Sequence, residues 1–252
     1  MTFNHDLDSF PFTYGTQFYR PPNPPAGERR RDLERIKEFG FNTIKIFAEW
    51  NWTNPRQGEF DFSDLAEILG HCDDLGIRVV INTRLENAPY WVADLLPEAH
   101  YVSATGRKVH LRERPNTPTG GWPGLCLDNE EVRHWAGQWY QAMTAALGGY
   151  PSLDTWDCWN EPHMEPKSES YPDFRENLYC YCPATLALFH QWLAEKYGSL
   201  DGLNKAWHKR YSQWHQVQPP RQWNAYFDTM DWKRFLMWSL AQQMAWRYKT
   251  IK

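Results

Sequence analysis

The sequence lacks a long apolar run. No hydrophobic stretch approaches the ~20 residues that a membrane-spanning helix needs, and residues 1–10 have neither a basic start nor an apolar centre. The net charge is also small, at −4, which gives no reason to expect nucleic acid or an anionic membrane as a partner. We therefore expect a cytoplasmic protein.

Two further features are scarce or missing. The chain has five cysteines and no secretion signal, so reduced thiols are expected. No glycine-rich phosphate loop follows the early predicted strands, which argues against a doubly wound nucleotide-binding fold.

Tryptophan is abundant, with 15 residues in the chain. Excess tryptophan can simply fill a core, but four residues fall in stretches rich in Pro, Asn and Gly: Trp50, Trp52, Trp91 and Trp122. An exposed indole face in a loop suits stacking on the apolar face of a sugar ring. This distribution favours a carbohydrate-binding protein.

Strands and helices are predicted to alternate along the first half of the chain. Residues 12–18, 42–47 and 77–82 form predicted strands, and residues 28–39 and 63–75 form amphipathic helices, the second capped by Ser63. Such a βα repeat of roughly 35 residues is typical of a parallel sheet. The long loops leave the carboxyl ends of the strands, as they do in a (β/α)8 barrel.

The second half of the chain holds one more predicted strand, which ends at Asn160-Glu161. Helices are predicted at residues 130–147, 183–197 and 200–207, and a last helix is capped by Asp231 and runs to residue 252. No further β-branched strand follows. We therefore predict an α/β fold of the (β/α)8 barrel type, in which residues 1–252 hold about the first four βα units of a truncated catalytic barrel.

A carboxylate follows this last strand, in the run Trp159-Asn160-Glu161-Pro162. Pro162 lacks an N–H and biases Glu161 away from the helical region, so the extended structure is expected to stop at the carboxylate. A polar turn after a strand is one interpretation, and a general acid at a strand end is the other.

Together with Gly-Glu-Phe-Asp-Phe at residues 58–62 and Cys-Tyr-Cys-Pro at residues 180–183, this run resembles glycoside hydrolase family 42. These are β-galactosidases of the large barrel clan with two catalytic glutamates, and the resemblance extends over residues 14–246. It implies a retaining β-galactosidase with Glu161 as the general acid/base. Asn160 then matches the neighbour that hydrogen-bonds the sugar 2-hydroxyl.

The resemblance also implies that the nucleophile lies on a later strand, beyond residue 252, so the chain alone is expected to be inactive. Glu49 and Glu86 are substitutes at strand ends, although a binding or structural role is the preferred interpretation of both. Where many members carry a sugar-binding Arg, this chain has Trp122, and Arg84 or Arg114 is the replacement donor considered. The expected substrate-binding residues are Asn160, Trp122, Arg84, Glu86 and Trp50.

Members of the family hold a metal through four cysteines. Cys126, Cys180 and Cys182 match three of these positions, but Thr185 stands at the fourth. Threonine is a poor zinc ligand, and a structural zinc site normally has four protein ligands. We expect no metal and no other cofactor, with zinc at the three cysteines as the alternative.

Two other functions remain open on the sequence alone. One is a non-catalytic carbohydrate-binding half-barrel that dimerises to cover its strand edges. The other is a related glycosidase that acts on β-glucans or mannans. In the leading interpretation the partner is a β-galactoside or related oligosaccharide, and the resemblance implies a homo-oligomer, a trimer in full-length relatives.

Overall fold

The computed structural model describes residues 12–18, 24–115, 121–162, 173–222, 224 and 226–252. Four strands form one parallel sheet: β1 (Gly15–Gln17), β2 (Thr43–Glu49), β3 (Arg78–Arg84) and β6 (Leu153–Asp157), in the order β1-β2-β3-β6. A short antiparallel pair, β4 (Arg114–Pro115) and β5 (Gly121–Trp122), lies in the connection to β6. The side chain of Arg114, a predicted sugar-binding candidate, and residues 116–120 lie outside the described part.

One long helix precedes each of the last three strands of the sheet: α1 (Ala26–Glu38), α3 (Ser63–Leu75) and α5 (Glu130–Leu147). Two short helices, α2 (Trp50–Thr53) and α4 (Tyr90–Leu95), begin shortly after β2 and β3. The chain continues into α6 (Pro183–Tyr197), α7 (Leu200–Trp207) and α8 (Phe227–Ile251). The predicted parallel α/β architecture, a partial barrel with four strands, is confirmed.

Two predicted helix caps are wrong. Ser63 lies inside the first turn of α3, whose N-cap is Phe62, and the Ser63 N–H donates to Asp61 Oδ1 at 2.9 Å. Asp231 lies one turn inside α8, whose N-cap is Tyr226. α3 begins at Ser63 itself, one residue earlier than a Ser63 cap requires, and α8 begins at Phe227, four residues before Asp231.

The apolar side chains form two main clusters. The sheet region, defined as β1, β2, β3 and β6 with α1, α3 and α5, buries β-branched and leucine side chains between sheet and helices, among them Ile44, Ile46, Leu65, Leu69, Val79 and Met143. The helical region, defined as α6, α7 and the first half of α8, packs around Phe189, Leu193, Leu203, Trp207, Trp232 and Phe235. The carboxyl-terminal part of α8 returns to the sheet region through Trp246 and Ile251.

The two-residue period of β2 separates its side chains between two faces. Ile44 and Ile46 face the helices and belong to the core of the sheet region. Lys45, Phe47 and Glu49 therefore face the other side of the sheet, which is the interior side of a barrel. Among the described residues, no helix combines the length and the apolar character that crossing a membrane requires.

Candidate active site

The strand ends bring polar side chains to one edge of the sheet. Glu49 pairs in register with Arg84, and Asn82 pairs with Asp157. Because all four strands are parallel, their carboxyl ends meet at the same edge, which is where α/β barrels place their sites. The predicted strand-end residues are thus neighbours in space.

Asn160 and Glu161 lie three and four residues beyond the end of β6, and both are exposed. β6 was predicted to end at Asn160-Glu161 but stops at Asp157, and Glu161 has a positive φ of 49°. A residue other than glycine in the left-handed region costs about 1–3 kcal/mol, and such residues cluster at functional sites. The turn presents the Glu161 carboxylate at the carboxyl edge of the sheet.

Lys45 holds the residues that precede Glu161. Its Nζ lies 2.7 Å from Asp157 Oδ2 and donates to Asn160 Oδ1 at 3.0 Å. Because the Asn160 amide oxygen accepts from Lys45, its N–H groups are oriented away from Lys45. The sequence reasoning missed Lys45 and Asp157, although a lysine inside a β-branched strand is a signal for a polar interior face.

Arg84 is held inside the sheet edge. Its Nη1 lies 3.8 Å from Glu49 Oε1, and its guanidinium lies 5.6 Å from the centre of the Phe47 ring. Glu49 is fully buried, and Arg84 is 9% exposed. A sugar contact by Arg84 stays a prediction, and the structure places its charge against Glu49.

Glu86 and Trp122, both predicted to bind substrate, line one small cavity with Trp159 and Arg247. Its volume of about 10 Å³ suits one water molecule. Arg247, from α8, donates to Glu86 Oε1 at 2.7 Å and to the Cys158 carbonyl at 3.3 Å, and its guanidinium lies 3.9 Å from the Trp159 ring centre. Burial lowers the pKa of Arg247, but the charge and the hydrogen bond of Glu86, together with Tyr140 and Tyr101, raise it above the ordinary value.

Arg247 was not predicted from the sequence. Its position between Trp246 and Tyr248 in the last helix gives no clear signal of this role. Its contacts fix the backbone two residues before Asn160.

The prediction for Trp50 is wrong. β2 runs to Glu49 and α2 begins at once, so Trp50 turns into the core, where it is fully buried and its Nε1 donates to Asn54 Oδ1 at 3.1 Å. A buried indole has no face for a sugar ring. Trp52 is 39% exposed, and the partly buried Trp91 donates to the Asn54 carbonyl.

The three matched cysteines converge at a second place. The sulfur atoms of Cys126, Cys180 and Cys182 lie within 4.8 Å of one another, and all three residues are fully buried. Hydrogen bonds from the Cys126 and Cys180 thiols lower the pKa of Cys182 to about 3. Burial raises the pKa of Cys180 well above its ordinary value.

The sulfur spacing fits a metal ion. Zinc–sulfur bonds of about 2.3 Å in a tetrahedron place the sulfurs about 3.8 Å apart, so the three thiols need little movement to share one ion. Cys126, Cys180 and Cys182 would hold such an ion, and it would cross-link the loops that precede α5 and α6.

Comparisons with known proteins cover nearly the whole chain. The profile of the Glyco_hydro_42 family, described as β-galactosidase, matches residues 18–252. The β-galactosidase Bga of Halorubrum lacusprofundi is 26% identical over 209 residues, which are 80% of this chain and 27% of that enzyme. The exo-β-D-glucosaminidase of Pyrococcus horikoshii is 23% identical over 267 aligned positions, 94% of this chain and 31% of that enzyme.

Solved structures show the same fold. The crystal structure of the cold-adapted β-galactosidase from Rahnella sp. R3 superimposes with a TM-score of 0.77 at 20% sequence identity. The match covers 97% of this chain and 34% of that chain. This chain therefore spans about a third of the length of the relatives named here, and it corresponds to part of an α/β barrel.

Proposed function

The chain belongs to glycoside hydrolase family 42, and from this premise we propose that it forms the amino-terminal part of the catalytic barrel of a retaining β-galactosidase. The observation that carries the proposal is the position of Asn160-Glu161 just beyond the end of β6, at the carboxyl edge of the parallel sheet. The substrate is a terminal β-D-galactoside.

In this proposal Glu161 is the general acid/base. Its protonated carboxyl group gives a proton to the glycosidic oxygen as the bond to the sugar breaks. The resulting carboxylate then removes a proton from the water that releases the sugar. The exposed position of Glu161 supports this role because the leaving group and the water must both reach it.

Asn160 positions the sugar. The Asn160 amide oxygen already accepts a hydrogen bond from Lys45. The amide N–H groups are therefore the donors that face a sugar hydroxyl. A hydrogen bond to the 2-hydroxyl that strengthens in the oxocarbenium-like transition state lowers the barrier. Lys45 and Asp157 act through Asn160 as positioning residues.

Retention requires a second carboxylate about 5–5.5 Å from the first. Glu49 is fully buried beside Arg84, and Glu86 is paired with the buried Arg247, so both are poor nucleophiles. The proposal takes the nucleophile from outside these 252 residues, which agrees with a chain that spans 27% of its Halorubrum relative. We expect the 252 residues alone to be inactive.

The test is Glu161→Gln in the protein as its own cell makes it. We expect kcat on an alkyl β-galactoside to fall by about 10²–10⁴-fold. An aryl galactoside with an activated leaving group should lose less in the glycosylation step, because that step needs little protonation. Glu195→Gln, an exposed glutamate on α6, is the matched control and should keep full activity.

A second readout identifies the role of Glu161. With Glu161→Ala, added azide should restore turnover of the aryl galactoside and give the β-galactosyl azide, because a small anion needs no general base. Equal losses on the alkyl and aryl substrates, without rescue by azide, would move the acid/base role to another residue.

One relative favours a second substrate. The Pyrococcus protein is an exo-β-D-glucosaminidase and covers 94% of this chain, so the substrate panel should include an aryl β-D-glucosaminide beside the galactoside. A higher kcat/KM on the glucosaminide would assign the enzyme to amino sugars and keep Glu161 as the acid/base.

The length of the natural protein also tests the proposal. An intact mass near that of these 252 residues, together with galactoside binding but no turnover, would favour a carbohydrate-binding half-barrel. A mass two or more times larger is what a complete barrel with appended domains requires.

A further inference from the structure

The residues between β6 and Glu161 are held by side chains from neighbouring elements. The Asp157 carbonyl accepts from Asn82 Nδ2 at 3.1 Å, and the Asp157 carboxylate accepts from the Trp159 N–H at 3.2 Å. A left-handed backbone such as that of Glu161 persists only where its surroundings determine it. The direction of the Glu161 side chain is therefore set by contacts made to the residues before it.

The Cys158 carbonyl is the point where three further elements meet. It accepts from Thr83 Oγ1 of β3 at 3.3 Å and from Arg247 Nη1 of α8 at 3.3 Å. The Thr83 hydroxyl also lies 3.2 Å from the hydroxyl of the buried Tyr140 on α5. Because Thr83 gives its one proton to Cys158, it accepts from Tyr140. A single carbonyl three residues before Glu161 is thus fixed from β3, α5 and α8.

The Arg247 guanidinium is itself oriented on two sides. Its Nη2 donates to Glu86 Oε1 at 2.7 Å, and its plane lies 3.9 Å from the centre of the Trp159 ring. Arg247 is 1% exposed and Trp159 is 8% exposed. A rigid, planar group with separate N–H donors can hold the carboxylate and the carbonyl together while it stacks on the ring, and a lysine ammonium cannot.

We propose that Arg247, oriented by Glu86, is a positioning residue for proton transfer by Glu161. It does not touch the substrate. It holds the Cys158 carbonyl and the Trp159 ring, and these determine where the Glu161 carboxyl group meets the glycosidic oxygen. The inference rests on the proposed function, since it assigns a role within that reaction.

The expected effect follows from the geometry of proton transfer. A general acid must lie within hydrogen-bond reach of the atom that it protonates. A misplacement of about 1 Å can cost a hundredfold in rate. Loss of Arg247 should therefore slow the reactions that depend on protonation of the leaving group.

The first test compares two leaving groups in the protein as its own cell makes it. With Arg247→Met, we expect kcat on an alkyl β-galactoside to fall by about 10–100-fold. An activated aryl galactoside should lose much less, because its leaving group needs little protonation. Arg247→Lys keeps the charge beside Glu86 and should show an intermediate loss on the alkyl substrate.

Lys249→Met, at an exposed position on the same helix, is the matched control and should keep full activity on both substrates. Circular dichroism establishes that each variant is folded at the assay temperature, and Arg247→Lys serves if Arg247→Met does not fold. Equal losses on the alkyl and aryl substrates, or no loss on either, would overturn the positioning role.

The second test combines Arg247→Met with Glu161→Gln. If Arg247 acts through Glu161, its substitution should cost little more on the alkyl substrate once the acid is gone, because residues that act as a unit are not additive. A further loss as large as in the unchanged protein would show that Arg247 acts elsewhere. If Glu161→Gln alone leaves the alkyl rate unchanged, the proposed function itself fails, and this inference fails with it.

The third test concerns Glu86. Glu86→Gln removes the charge that orients Arg247, so the alkyl rate should fall while the aryl rate changes less. The double variant Glu86→Gln and Arg247→Met should lose no more than Arg247→Met alone. If the two losses multiply, Glu86 does not act through Arg247, and its part of the proposal is wrong.

Discussion

Asp231 in the helical region and Glu161 in the sheet region are both acidic residues close to a tryptophan in sequence. Their surroundings in the structure differ. Asp231 is 1% exposed and accepts hydrogen bonds from Lys196, Tyr197 and Trp207, which lie on α6 and α7. Glu161 is exposed beyond β6 with a left-handed backbone. One carboxylate joins three helices, and the other is presented to solvent at the sheet edge.

The difference shows that the carboxylate that stabilises the fold and the carboxylate proposed to act on substrate lie in different regions of the molecule. A buried carboxylate surrounded by donors cannot reach a substrate, but it fixes the packing of the elements that surround it. An exposed carboxylate contributes little to packing, so its strained backbone must be held by neighbouring residues. Changes in the helical region should therefore alter folding most, and changes at the sheet edge should alter it less.

The largest effect on stability is expected from Asp231→Asn. It removes the charge that pairs with Lys196 and weakens the bonds from Tyr197 and Trp207, and the free energy of unfolding should fall by about 3 kcal/mol. Urea unfolding followed by circular dichroism measures the change. Asp201→Asn, at an exposed position on α7, should change it by less than about 0.5 kcal/mol.

The same carboxylate predicts a pH dependence. Burial raises the pKa of Asp231, but the hydrogen bonds from Lys196, Tyr197 and Trp207 outweigh burial and lower it below its ordinary value. Its stabilisation is therefore complete above the unfolded pKa of about 3.9 and is lost as the pH falls through the lower folded pKa. The stability gap between the unchanged protein and Asp231→Asn should be constant above about pH 4 and narrow below it, as urea midpoints between pH 7 and pH 3 would show.

Arg247→Met tests the contact that crosses from α8 to the sheet edge. It removes the partner of Glu86 and the stacking on Trp159, and unfolding should become easier by about 2 kcal/mol. Arg247→Lys keeps the charge and should lose about half as much. Equal losses in both variants would mean that the planar guanidinium, rather than its charge, holds the turn.

The smallest effect is expected at a helix cap in the sheet region. Asn129 Oδ1 accepts from the N–H groups of Glu131 and Val132 at the start of α5, so Asn129→Ala should cost about 1 kcal/mol. Ser63→Ala should cost less than about 0.5 kcal/mol, because Ser63 is not the cap of α3. A larger loss at Ser63 than at Asn129 would contradict the cap assignment.

Most helices and strands were predicted correctly from the sequence. The amphipathic patterns of α5, α6 and α7 gave their bounds, since a continuous apolar stripe with clear end signals leaves little choice. The caps at Ser63 and Asp231 and the loop position of Trp50 were wrong. α3 begins at Ser63 and α8 begins four residues before Asp231, and β2 passes directly into α2 at Trp50 without a loop between them.

The contacts that shape the site could not be predicted in this way. Lys45 meets Asn160 across 115 positions of sequence, and Arg247 meets Glu86 across 161. Such pairs depend on the sheet order and on the return of α8, which no local pattern specifies. The hydrogen bond from Thr185 to Asp128 likewise joins residues 57 positions apart, and the spacing of the cysteines does not predict it.

The contact between Arg247 and the Cys158 carbonyl has a consequence for protein synthesis. Arg247 comes 89 residues after Cys158, and a ribosome adds about 5–20 residues per second. For about 4–18 seconds the turn that carries Asn160-Glu161 exists on the nascent chain without the arginine that holds it. The strand end with the proposed acid/base is therefore completed late, after α6 and α7 have left the ribosome.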